Sequence, residues 1–180
     1  MIEVEIKAKV KDFSLIKKQL EKLGAEFLNK EKQIDAIFGR KEDLDNEHKI
    51  IEGHFSARVR EKGDKRLVEF KEIRRGAPGM EFSSPVVSLE SGINFLEKLG
   101  FEKAFTISKV RENYKYNDFE ICLDDVDELG SFIEIEHPCK DGSKQDALKE
   151  CEDLLGILAP DAVIEPKKYG DLMQEIINKK

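Results

Sequence analysis

Most landmarks that betray an enzyme site are missing from this chain. Only three of its 180 residues are cysteine, Cys122, Cys139 and Cys151, an odd number without C-x-x-C spacing. This excludes a disulfide framework or zinc knuckle and makes a reducing cytoplasm the simplest home. No stretch approaches the roughly 18 consecutive apolar residues of a membrane span. The opening MIEVEIKAKV also lacks the apolar run of a signal peptide. A soluble, unprocessed cytoplasmic protein without membrane contact is expected. Neither G-x-x-x-x-G-K-[ST] nor G-x-G-x-x-G occurs, so no P-loop or Rossmann site is indicated. Excess positive charge is absent too, with 31 Lys and Arg against 38 Asp and Glu for a net charge of -7. No nucleic-acid partner is therefore expected, although a local cationic site for a small anion is still allowed. His48, His54 and His137 are scattered and read as surface or structural groups.

What the chain does have is charge in alternation. Glu3, Glu5 and Lys7 interleave with Val4 and Ile6, and the same pattern returns at Arg58 and Arg60, Glu69 and Lys71, Lys109 and Arg111, and Glu134 and Glu136. Successive strand residues point to opposite faces, so each set projects from one side. The length suits one domain over residues 1–180 with a substantial core.

The remaining pattern is α+β. Asp12 caps a helix with an apolar stripe at Phe13, Ile16, Leu20 and Leu23, and Gly24 stops it. A second strand runs to about Phe38, and a polar stretch from Gly39 to Gly53 reads as a mobile loop able to close over a ligand. A hairpin turns at Gly63-Asp64, and Gly76-Ala77-Pro78-Gly79 makes another turn before a strand at 80–87. A helix carrying Ile93, Leu96 and Leu99, strands near 101–111, 119–126 and 131–136, a helix at 143–158 and a short C-terminal helix complete the chain. Leu20-Glu21-Lys22-Leu23-Gly24 recurs as Leu96 to Gly100, an offset of 76 that also carries Gln33 and Asp35 onto Lys109 and Arg111, and Arg58 and Arg60 onto Glu134 and Glu136. Two strand-helix-strand halves closing into a barrel are expected.

Helices with apolar stripes pack on the apolar parity, which leaves the charged parity as the concave interior of a curved sheet. That face carries few of the Thr, Ser and Gln residues that ordinarily share a solvated surface. Desolvated ions cost several kcal/mol each, so such an interior must be wet, paired or filled. Lys7, Arg58, Arg60, Lys71, Lys109 and Arg111 are cations enough to neutralise a triphosphate. Glu3, Glu5, Glu81, Asp124, Glu134 and Glu136 do not hold phosphate directly, but they suit Mg²⁺ or Mn²⁺ ions that bridge to it.

These residues, in order, resemble the motifs of the CYTH superfamily, the triphosphate tunnel metalloenzymes. Glu3-x-Glu5-x-Lys7 is similar to its E-x-E-x-K signature, followed by Gln33 and Asp35, Ala57-Arg58-Val59-Arg60-Glu61, Phe70-Lys71, Lys109-Val110-Arg111-Glu112 with Tyr114, Leu123-Asp124-Asp125-Val126, and Glu134-Ile135-Glu136. The resemblance implies a closed eight-stranded antiparallel β-barrel, a tunnel with helices outside, that binds ATP or another triphosphate. It implies Mg²⁺ or Mn²⁺ held by Glu3, Glu5, Glu134 and Glu136, assisted by Asp124, with Glu3, Glu5 and Lys7 in the catalytic role. Lys7, Arg58, Arg60, Lys71, Lys109 and Arg111 would grip phosphates. Activity as a class IV adenylyl cyclase or a triphosphatase follows, with a non-catalytic phosphoryl-ligand binder as the lesser reading; a homodimer is compatible with the family. Two departures stand out: Glu81 is followed by Ser83 where relatives often alternate two acids, and Lys168-Tyr169 replaces the usual Ser-Tyr.

Overall fold

The computed structural model describes residues 2–46, 50–74, 80–140 and 143–179. In chain order the elements are β1 (Ile2–Lys9), α1 (Ser14–Leu23), β2 (Glu26–Gly39), a 3-10 turn at Lys41–Asp43, β3 (Phe55–Lys62), β4 (Lys65–Glu72), β5 (Glu81–Pro85), α2 (Leu89–Lys98), β6 (Glu102–Tyr116), β7 (Phe119–Val126), β8 (Gly130–Cys139), α3 (Lys144–Leu158), β9 (Val163–Ile164) and α4 (Tyr169–Ile177). The strands hydrogen-bond in the order β5-β4-β3-β2-β6-β7-β8-β1-β9. The α+β class and the antiparallel sheet are as expected, with nine strands in the sheet rather than eight. The extra strand arises because Ile164 and Val163 pair with Ala8 and Lys9 beyond β1.

The duplication is visible in this order. β1-α1-β2-β3-β4 and β5-α2-β6-β7-β8 are equivalent runs, with β2 beside β6, and each run's first strand pairs with the other's last. The constant offset of 76 fails past β6, however. It carries β3 onto β8, whereas the topological counterpart of β3 is β7.

The chain divides into two units, residues 1–31 with 109–167, and residues 32–108 with 168–180. In the first, one parity of β1, β7 and β8 supplies Ile6, Ala8, Ile121, Leu123, Ile133 and Ile135, and the register stacks Ile6 on Ile135 and Ile135 on Ile121. Cys151, Leu154, Leu155 and Leu158 of α3 and Ile16 and Leu20 of α1 cover this apolar face. The N-cap of α1 is Phe13, without a side-chain cap bond, rather than the expected Asp12, whose carboxylate one residue earlier accepts from the Ser14 N–H at 2.8 Å; Gly24 ends the helix in the left-handed conformation at φ 73°.

In the second unit Ala36, Phe38, Ala57, Val59 and Val68 face Leu96 of α2 together with Phe101. Ser88 and Ser91 form a capping box that starts α2, a signal the hydrophobic spacing did not reveal. A Cβ on Gly92 would lie 2.6 Å from Val59 Cγ1, so glycine is what lets α2 lie against β3. Gly92→Ala should therefore destabilise by about 1–2 kcal/mol, since overpacking outweighs the gain in helix propensity. An unchanged denaturant midpoint would show that Val59 yields freely.

Two expectations change here. The 39–53 stretch is partly tied down: Leu44 bridges Ile50, the Ile51 N–H donates to the Asp43 carbonyl at 2.9 Å, and His54 Nδ1 lies 2.6 Å from Asp43 Oδ1. And α4 adds no residue to either apolar cluster; a Cβ on its Gly170 would lie 3.9 Å from Phe105, which shares the parity of Lys109 and Arg111 along β6. His48 and the turn at Gly76 to Gly79 lie outside the described residues.

Candidate active site

Strand register decides which charges meet. In the first unit Glu5 of β1 stands opposite Glu136 of β8, and Glu136 opposite Glu120 of β7, three carboxylates in one lateral row. Like charges directly opposite destabilise a sheet unless something compensates them. Two residues along, Lys7 faces Glu134, and carboxylate oxygens of Glu5, Glu134 and Glu136 all lie within 4.8 Å of one another. Burial first, then the charges of Glu5 and Glu134, push Glu136 up to about 7. Three converging carboxylates, one of them driven towards its neutral form, fit a hard dication such as Mg²⁺ or Mn²⁺. Glu3, two residues from Glu5 in the other direction along β1, faces Pro138 and is exposed.

Glu136 has a measurable consequence. Its pKa is raised on folding, so the folded chain holds an extra proton between about 4.3 and about 7. The stability this contributes is full below the unfolded value and is lost as pH rises through about 7. A dication must displace that proton, so Mn²⁺ affinity should climb by about tenfold per pH unit below 7 and level off above it. Calorimetric titration from pH 5.5 to 8 checks this, and a flat profile would contradict it.

Beside the acids lies a cationic pair with its own anchor. Asp124 of β7 is completely buried, and it accepts from Lys109 Nζ at 2.7 Å and from Arg111 Nε and Nη2 at 2.6 and 2.5 Å. Burial alone would raise Asp124, but the Arg111 hydrogen bonds and the two positive charges hold it below the ordinary carboxylate range. Burial lowers Lys109, with Asp124 opposing. Arg111 also reaches Glu134, linking this pair to the acidic cluster. Asp124 grips the two cations with both its oxygens. Lys7 Nζ donates to the Lys167 carbonyl at 2.5 Å, while the Glu165 N–H donates to the Lys7 carbonyl at 2.7 Å.

The second unit repeats the device. Arg60 makes a two-pronged pair with Asp35, Nε to Oδ1 at 2.7 Å and Nη2 to Oδ2 at 2.6 Å. Arg58 Nε donates to Glu69 at 2.6 Å and its Nη2 lies 3.5 Å from Glu81, which Lys71 Nζ also approaches at 3.5 Å. Glu69 was legible only as an alternating charge; its place opposite the arginine follows from the Arg58↔Glu69 register. Glu81 holds Arg58 and Lys71 here.

Other residues settle into structural roles. Cys122 is a buried thiol, pushed up to about 12 chiefly by burial, and donates to Asn113 Oδ1 at 3.3 Å. His137 Nδ1 donates to the Pro138 carbonyl at 2.7 Å, and its Nε2 lies 3.2 Å from Glu150. Glu112 sits on the helix side of β6, where Lys17 of α1, Lys30 and the Tyr114 hydroxyl all donate to it. Tyr169 opens α4. Among the described residues no helix is long and apolar enough to cross a membrane.

The ordered charges correspond to a known family: the CYTH domain matches residues 1–165. The chain belongs to the CYTH family. A candidate adenylate cyclase of Methanocaldococcus jannaschii is 33% identical over 163 residues, covering 88% of each chain. The solved structure of a Pyrococcus horikoshii protein, 28% identical, superposes with a TM-score of 0.74 over 93% of this chain and 97% of that one. A Hippeastrum candidate adenylyl cyclase shares the CYTH fold at TM-score 0.68 and 16% identity, covering 97% of this chain and 96% of its own, and is described as having a dominant triphosphatase activity.

Proposed function

We propose that the chain is a single-domain, metal-dependent CYTH enzyme whose sheet closes into a tunnel around a triphosphate, and that it converts ATP to cyclic AMP and pyrophosphate. The observation that carries this reading is the convergence of Glu5, Glu134 and Glu136 beside the Asp124-anchored Lys109 and Arg111. A pure phosphate binder needs the cations but not the carboxylate trio. Glu5, Glu134 and Glu136, with Glu3 next along β1, would hold Mg²⁺ or Mn²⁺. When bound there, the ion supplies a lowered pKa for an attacking hydroxyl and neutralises phosphate charge.

The protein's own groups do the rest. Lys109 and Arg111, held by Asp124, and Arg58 and Arg60, held by Glu69 and Asp35, present ammonium and guanidinium groups whose orientation is set before substrate arrives. Such preorganised donors stabilise charge gathering on a leaving pyrophosphate. Lys7, fixed by the Lys167 carbonyl, and Lys71 add further phosphate contacts.

The second reading keeps the site and places water at the terminal phosphorus, giving a triphosphatase. It is favoured by the fact that every anchored cation named above suits phosphate of any origin, and it matches the activity described for the Hippeastrum protein. Incubation with ATP, inorganic triphosphate and thiamine triphosphate in Mg²⁺ and in Mn²⁺, with chromatographic separation, tests both. Cyclic AMP with pyrophosphate establishes the cyclase. Orthophosphate without a cyclic product establishes the hydrolase.

A further inference from the structure

On the charged face of the first unit, cross-strand register sets out successive lateral rows. One holds Arg111, Asp124, Phe132 and Lys9; the next holds Asn113, Cys122, Glu134 and Lys7; the third holds Lys115, Glu120, Glu136 and Glu5. The middle row therefore begins with two uncharged hydrogen-bonding groups between neighbours that are ionic. Asn113 Nδ2 donates to Asn29 Oδ1 at 2.6 Å and lies 3.4 Å from Glu31 Oε1, while Asn113 Oδ1 accepts from the Cys122 thiol. Its amide is thus engaged on protein at both ends, and the effect is to pin Asn29, whose side chain is exposed on β2.

We infer that Asn29, held by Asn113, reads the base edge of a nucleoside triphosphate and makes the site select an adenine nucleotide over inorganic triphosphate. The inference rests on the triphosphate-site reading above and adds the part of the substrate that phosphate contacts cannot recognise. A polyphosphate offers only acceptors, so a carboxamide oxygen is wasted on it. With one lone pair of its Oδ1 taken by Asn113, the Asn29 carboxamide keeps a second lone pair beside its Nδ2–H donor, which is the complement of adenine N6–H and N7. Asn29 stands three strands from Glu134 in the order β2-β6-β7-β8, roughly 14 Å at ordinary interstrand spacing, about the reach of a nucleoside triphosphate from its base edge to its phosphates. A fixed amide also costs less ordering on binding than a free one.

The test is steady-state kinetics of the full chain and of Asn29→Ala, with ATP and with inorganic triphosphate, in Mn²⁺. Because Asn29 is exposed, the variant should melt with the wild type. The expected result is a rise of about tenfold or more in KM for ATP, with kcat/KM for inorganic triphosphate within about twofold of wild type. Equal losses on both substrates, or no change on ATP, would show that the amide pair merely ties β2 to β6 and would overturn the inference alone. So would a wild-type enzyme that consumes inorganic triphosphate but not ATP. A wild-type enzyme inactive on both overturns the site reading and this inference with it.

Discussion

Glu5→Gln should abolish metal-dependent turnover, by about 10³-fold or more, while leaving the protein at least as stable as before. Glu5 supplies one of three oxygens that converge within 4.8 Å, and it stands directly opposite Glu136 in the β1–β8 register. The neutral amide keeps the shape and removes a charge on which a hard dication depends. The same change relieves repulsion, because Glu5 is the foremost neighbouring charge raising Glu136. Removing it should move the Glu136 pKa down towards the ordinary range and stabilise the metal-free fold by about 0.2–1 kcal/mol, the scale of a cross-strand pair. Triphosphate binding, carried by the cations, should weaken far less than turnover. Paired measurements of kcat, triphosphate affinity and melting temperature separate these effects. Equal losses in binding and turnover would favour a phosphoryl-ligand binder instead.

Asp124→Asn should have the largest effect on stability. The carboxylate is completely buried and receives three charged hydrogen bonds from Lys109 and Arg111. Removing its charge leaves two largely buried cations facing a neutral amide, and breaking a buried pair in this way costs about 3–5 kcal/mol. The pH dependence carries the same signature. Asp124 has a depressed pKa when folded, so its contribution is present above the unfolded value near 3.9 and is lost as pH falls through the folded value. That acid limb should shrink in the variant. Added inorganic triphosphate supplies negative charge to the stranded cations, so it should raise the melting temperature of Asp124→Asn more than that of the wild type. A variant that melts with the wild type and gains nothing from triphosphate would show that Lys109 and Arg111 find other partners.

The charged face was legible from the sequence because strand period is two and needs no partner: Glu3, Glu5 and Lys7 share a side whatever they pair with. Register is different, since it joins positions far apart in the chain. Nothing local reveals that Glu5 meets Glu136, whereas two-residue turns at 63–64 and 117–118 set Arg58 opposite Glu69 and Arg111 opposite Asp124 within single hairpins. Single-sequence reading therefore sorted the charges by type, acids to metal and bases to phosphate. The structure sorts them by contact, and places Asp124, Asp35 and Glu69 beneath cations. The two similar halves were audible in the repeated Leu-Glu-Lys-Leu-Gly, which falls at the ends of α1 and α2. Loop lengths differ after β2 and β6, so a fixed offset could not follow the equivalence from β3 to β7. Two-residue β9 has no periodicity to detect; it exists through pairing with Ala8 and Lys9.

Anomalous diffraction from crystals equilibrated with Mn²⁺ and a non-hydrolysable triphosphate tests the acidic cluster most directly. A manganese peak about 2 Å from carboxylate oxygens of Glu5, Glu134 and Glu136 is the expected result. Triphosphate density with no metal peak at these three residues, or a peak held by other groups, would contradict it.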